Sequence, residues 1–192
     1  GDILTNADTV TFTVTFNENV TGVDIDDFEL AETGLTGADI VEVAGDGAVY
    51  TVTATTGEGH DFLGLNLIDN DTILDLAGNA LAGEEGDDGS LVGPAYEIDR
   101  IAPQVESILP AGPSPTSDTT VFFTVVFTEP VVGVDALDFS LAVTGLNGSS
   151  ITGVIGGGNT YTVAVKTGLG STGTLQLNLI DDNTIRDTVG NV

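Results

Sequence analysis

The chain has no cysteine, no methionine and no tryptophan, a single histidine, and only three lysines and arginines among its 192 residues. Without thiols there is no disulfide framework, no thiol nucleophile and no cysteine zinc site. The three cations, Arg100, Lys166 and Arg186, are too few and too scattered to bind a phosphate backbone, so nucleic acid is excluded as a partner. An anionic membrane surface is disfavoured on the same ground unless a divalent cation bridges it. No apolar run reaches the ~20 residues of a membrane helix, so direct membrane insertion is not expected, and no signal peptide is legible. The first residue is Gly1, and we read the chain as processed or cut from a longer one.

What is abundant is acid. Thirty Asp and Glu give a formal charge of −27, yet 41% of the residues are hydrophobic, so this is no disordered acidic tail. Such an excess of carboxylates suits a cation-rich medium outside the cell. The strongest signal is an internal repeat. Residues 5–61 align with the segment from Thr116 onward at a shift of 111, and residues 63–79 align at a shift of 112. About 40 of about 75 positions are identical, which marks two copies of one structural unit.

Within each copy the apolar period is two. Val10, Phe12, Val14 and Phe16 alternate with threonines, as do Val121, Phe123, Val125 and Phe127 with mostly smaller residues, which predicts half-buried strands. Further strands are expected over 28–31, 38–43, 49–55, 62–68 and 95–98, separated by Gly- and Asp-rich turns. At most one short helical turn is expected, near 73–76. The fold class is therefore all-β: two tandem β-sandwiches, over 1–99 and 100–192. Both ends look trimmed. The segment 104–109 has no counterpart before Gly1, and the chain stops before a counterpart of 95–98. The matching cores should be Phe12, Phe16, Phe28, Tyr50, Leu65 and Leu67, and Phe123, Phe127, Phe139, Tyr161, Leu177 and Leu179. One asymmetry stands out: Thr11, Thr15 and Thr21 become Phe122, Val126 and Val132, which marks either a contact surface or a face covered by its own chain.

Certain acids recur at equivalent places: Glu18 and Glu129, Asp24 and Asp135, Asp27 and Asp138, Asp69 and Asp181, Asp75 and Asp187. In a sandwich the loops after the second and sixth strands lie at the end where the chain enters, so these acids are expected to converge, joined in the second copy by Asp99 of the linker. Converging carboxylates repel by several kcal/mol at an effective dielectric near 20, and a cation reverses that sign. Charged oxygen ligands with almost no histidine favour Ca²⁺ over zinc or Mg²⁺. The competing reading is a solvated acidic surface that keeps the protein soluble.

TFTVTFNENVTGVDIDDFEL, LIDNDTILDLAGN and the junction YEIDRIAP together resemble the bacterial Ig-like tandem repeats of large extracellular adhesins and biofilm-associated surface proteins. The resemblance spans essentially the whole chain. It implies Ig-like seven-stranded sandwiches in cadherin-like strings with calcium at or near the junctions and an extracellular or cell-surface location, while the trimmed ends point to neighbouring repeats or identical subunits as partners. It names no cell-surface or matrix ligand.

Catalysis has little support. The only histidine, His60, lies in a Gly-rich connection where its counterpart is Ser171, and the run Gly156-Gly157-Gly158 lacks the lysine and helix of a phosphate loop. The segment 69–75 begins like an EF-hand loop without its central Gly or final Glu, and the acidic stretch 83–89 reads as a mobile loop, with a further ion site as the alternative. Sugar clefts usually present aromatic platforms, whereas Tyr50 and Tyr161 fall in phase with core valines. The expected role is thus a calcium-stiffened stalk repeat and not an enzyme. Its rivals are a strand-exchanging filament subunit and a ligand-binding accessory module of a secreted protein.

Overall fold

Alternation of apolar and hydroxyl side chains is realised as paired strands throughout, and a computed structural model shows the chain to be all-β. The structure describes residues 3–83, 89–170, 172–180 and 182–192, which fall into two units, Gly1–Ile101 and Ala102–Val192.

The first unit runs β1 (Ile3–Thr5), β2 (Thr9–Thr15), β3 (Val20–Thr21), β4 (Phe28–Ala31), β5 (Asp39–Asp46), β6 (Val49–Thr55), β7 (His60–Leu67), β8 (Leu74–Asp75) and β9 (Leu91–Asp99). One sheet has the order β1-β9-β7-β4 and the other β2-β6-β5, with β3 and β8 forming a separate small ladder. The two larger sheets close on a core of Val10, Phe12, Phe28, Leu35, Val52, Leu63, Leu65 and Ile98. Beside it, Phe16, Val20, Tyr50 and Ile73 form a second buried cluster. There Phe16 and Tyr50 meet edge to face at 5.9 Å, and the Tyr50 hydroxyl donates to the Val20 carbonyl at 3.1 Å.

The second unit runs β10 (Val105–Pro110), β11 (Thr120–Phe127), β12 (Val131–Val132), β13 (Phe139–Thr144), β14 (Ser150–Gly157), β15 (Thr160–Lys166), β16 (Thr174–Leu179) and β17 (Arg186–Asp187). Its sheets are β10-β11-β15-β14 and β13-β16, with β12 and β17 as the small ladder. Its core repeats the pattern with Phe123, Val125, Phe127, Phe139, Tyr161, Val163 and Leu177. Of the twelve expected core residues, ten are buried; Leu67 and Leu179, which occupy equivalent places, are half-buried. Both units also bulge at the same point, between Ile40 and Glu42 in β5 and between Ile151 and Gly153 in β14.

Three features differ from the sequence reading. The expected helical turn near 73–76 is instead β8, drawn into an antiparallel pair with β3, and the helical turns lie at Ile25–Asp27 and Ala136–Asp138. The strand through 95–98 is longer, reaching back to Leu91. The start of the first unit is not bare, because β1 pairs in parallel with β9. As expected, though, the two units are not equally furnished with strands. Among the described residues, β2 pairs only with β6 whereas its counterpart β11 has both β15 and β10; conversely β16 pairs only with β13, whereas its counterpart β7 has both β4 and β9. On the second unit, Phe122 is about half exposed, Val126 is half-buried and Val132 is exposed.

One glycine pair fixes how the loops approach each other. Gly22 and Gly133 each sit at φ +89°, and a Cβ there would lie 2.2 Å from the Thr72 carbonyl oxygen and 2.3 Å from that of Thr184, respectively. Only glycine permits both the backbone conformation and the close approach.

Candidate metal centre

The recurring acids are held by their own local chemistry. Asp24 and Asp135 each cap a 3₁₀ turn. The Asp24 carboxylate accepts from the Asp26 amide at 2.9 Å, and Asp27 in turn accepts from the Asp24 amide at 2.7 Å. In the second unit the Asp135 carboxylate accepts from the Leu137 amide at 2.7 Å and Asp138 from the Asp135 amide at 2.5 Å. This reciprocal arrangement is a capping box, and the spacing i, i+3 of the two acids is its sequence signal. Asp27 and Asp138 are fully buried. Each uses its other oxygen to accept from a threonine hydroxyl across the loops, Thr72 and Thr184, both at 2.8 Å. Each threonine hydroxyl also meets a neighbouring turn side chain, Asn70 or Asp182. The acids therefore stitch the loop after β3 to the loop after β7, and the loop after β12 to the loop after β16.

Asp69 is buried and accepts from the Asp71 amide at 3.1 Å and the Gly89 amide at 2.9 Å. Its counterpart, Asp181, lies outside the described residues, as does 84–88 of the acidic stretch. Asp75 accepts from the Ala77 and Asn79 amides at 2.7 and 2.8 Å and from the Asn79 side chain at 2.7 Å. These bonds, the Asn79 side chain first, hold the Asp75 carboxyl below its ordinary pKa. Asp187 repeats the motif more completely. One carboxylate oxygen accepts from the amides of Val189, Gly190 and Asn191 at 2.9, 2.6 and 2.9 Å, and the other accepts from the Asn191 side chain at 2.7 Å. The spacing Asp-x-x-Gly-Asn, present in both copies, is the signal for this turn.

Glu129 and Asp187 are the recurring pair that comes together. Val131 of β12 pairs with Asp187 of β17, which brings Glu129, two residues earlier, to the same end. Carboxylate oxygens of the two approach within 4.8 Å, with Asp187 buried and Glu129 half-buried. At about 4 Å such a pair repels by about 1 kcal/mol in water and about 4 kcal/mol at an effective dielectric of 20. Asp187 is a preorganised oxygen donor: with its Oδ1 engaged by three amides, Oδ2 keeps one lone pair beyond that taken by Asn191. Oxygen donors of this kind, with no sulfur or imidazole beside them in the second unit, match the preference of calcium. Glu18, the counterpart of Glu129, is exposed.

Comparison with the models of known protein families, with curated proteins and with solved structures found no match. The site must therefore be read from its own chemistry.

Asp99 ends β9, buried, with its carboxylate accepting from the Ile101 amide at 3.1 Å. His60, opposite it in the β7–β9 ladder, brings Nδ1 to 3.8 Å from the Asp99 carboxylate and Nε2 to 3.4 Å from Glu97. Next in the chain, Arg100 bonds back onto the first unit. It donates to the Asn6 carbonyl at 3.2 Å and pairs with Asp8 at 2.7 Å. The residue that sequence reading left unassigned, Arg100, thus anchors the segment carrying Asp99.

Proposed function

We propose that the chain is a structural repeat of a calcium-stiffened extracellular adhesin or surface filament, with Glu129 and Asp187 of the second unit holding the ion. The observation that carries this reading is the Glu129–Asp187 pair, two carboxylates held close by strand pairing at one end of the second unit. Asp99 supports it as a carboxylate three residues before the second unit begins, on a segment anchored by Arg100. Here calcium offsets the like-charge repulsion between Glu129 and Asp187. The charge of −27 fits a medium rich in divalent cations, and the tandem copies fit a spacer role. No helix among the described residues is long and apolar enough to cross a membrane.

Calorimetric titration with calcium tests the proposal. Saturable binding is expected that weakens at least tenfold in Glu129→Gln. Absence of binding at millimolar calcium would leave Asp187 a turn-capping residue and Glu129 a surface acid.

A further inference from the structure

In the second unit β10 adds to the outer edge of β11, pairing Val105, Ile108 and Pro110 with Phe127, Val125 and Phe123. The equivalents of these three partners in the first unit are Phe16, Val14 and Phe12, and among the described residues the outer edge of β2 carries no strand. Beside that edge lies a groove of about 420 Å³ lined by Phe12, Val14, Phe28, Leu65, Leu67 and Tyr96. Among the described residues, no charged side chain lines it. Leu67, expected in the core, remains half-buried there.

The hydrogen bonding at the two edges differs in a telling way. In the second unit the Phe122 carbonyl accepts from the Ala111 amide at 2.8 Å, just past the end of β10. In the first, the equivalent Thr11 carbonyl accepts from the Tyr96 hydroxyl at 2.9 Å. A side chain thus serves where an added backbone serves in the other copy. The sequence of β2, Thr-Val-Thr-Phe-Thr-Val-Thr, has no lysine, no proline and no charge, so it lacks the usual guards against strand addition.

We infer that the outer edge of β2 and its groove are a strand-accepting site for an extended segment of the same chemistry as β10: uncharged toward the groove, with aliphatic side chains where Val105 and Ile108 stand. Both of these pack on the core of the second unit. A bulge between Val105 and Ser107 lets residues three apart face inward together. The added strand supplies backbone hydrogen bonds for affinity and two aliphatic anchors for selectivity. The inference is independent of the calcium reading, with which it shares no residue.

The test is titration of the whole chain, in chelator, with a capped peptide of the sequence 104–110, followed by backbone amide exchange. Saturable binding with new protection over residues 9–16 is expected, weakened at least tenfold when the peptide carries Ile108→Asp. Three results would overturn the inference. One is no saturable binding at millimolar peptide; another is protection confined to 174–179, the other open edge. The third is protection of 9–16 that grows with protein concentration without peptide, which would make a second copy the occupant.

Discussion

At the scale of single residues, the acids divide by what their oxygens accept. Asp138 is buried, and both of its oxygens are engaged by groups of its own unit, an amide and a threonine hydroxyl. Asp138→Ala removes an acceptor and leaves both donors unmet, so a loss of about 1 to 3 kcal/mol is expected in urea unfolding. Asp75 offers a different test. Its folded pKa lies below the ordinary value of about 3.8 because Asn79 and the turn amides bond its charged form. A depressed carboxyl contributes stability that is fully present above the unfolded pKa and disappears as pH falls through the folded one. The difference in urea midpoint between the parent chain and Asp75→Asn should therefore be constant above about pH 5 and shrink on acidification below pH ~4. A difference that is unchanged down to pH 2 would contradict the assigned bonding.

At the scale of elements, the long strands were legible because threonine and apolar residues alternate without interruption over β2, and β11 repeats its apolar positions with Phe122 and Val126 in place of two threonines. The same register places Phe127 almost wholly out of solvent and against Tyr161. Phe127→Ala should cost about 3 to 5 kcal/mol, read from chemical unfolding, with the spread set by how far the site can collapse. The two-residue strands β8 and β17 were not legible. Four residues, Ile-Leu-Asp-Leu, are too few for a period to distinguish helix from strand, and pairing with β3 decides the matter only after the chain has folded. The site was legible in part. Recurrence at equivalent positions singled out acids that hold loops in place, without distinguishing an acid that caps a turn from one that approaches a second carboxylate. Asp24 with Asp27 carried a capping-box spacing, and Asp75 with Asn79 a turn spacing, and both are purely local signals. Glu129 and Asp187, by contrast, meet through long-range pairing of β12 with β17, which no local pattern announces.

At the scale of the whole molecule, a charge of −27 on 192 residues makes self-repulsion a general term alongside any specific site. The two are separable by ionic strength. Monovalent salt should raise the melting temperature gradually, by screening. On the proposed reading, calcium at a hundred times its dissociation constant should add about 2.7 kcal/mol beyond matched monovalent salt, as a ligand of the folded form alone would. Glu129→Gln should reduce that calcium increment while leaving the salt response and both cores unchanged. An equal effect of calcium and matched monovalent salt would assign the stabilisation to screening. The parallel pairing of β1 with β9 has a mechanical consequence of its own. Ile3, Leu4 and Thr5 lie beside Tyr96, Glu97 and Ile98 in the same chain direction. Tension that pulls residue 3 backward and residue 99 forward would slide these two strands past each other instead of peeling them apart. The rungs of that ladder would then bear load together, so the first unit should resist stretching applied between residues 3 and 99.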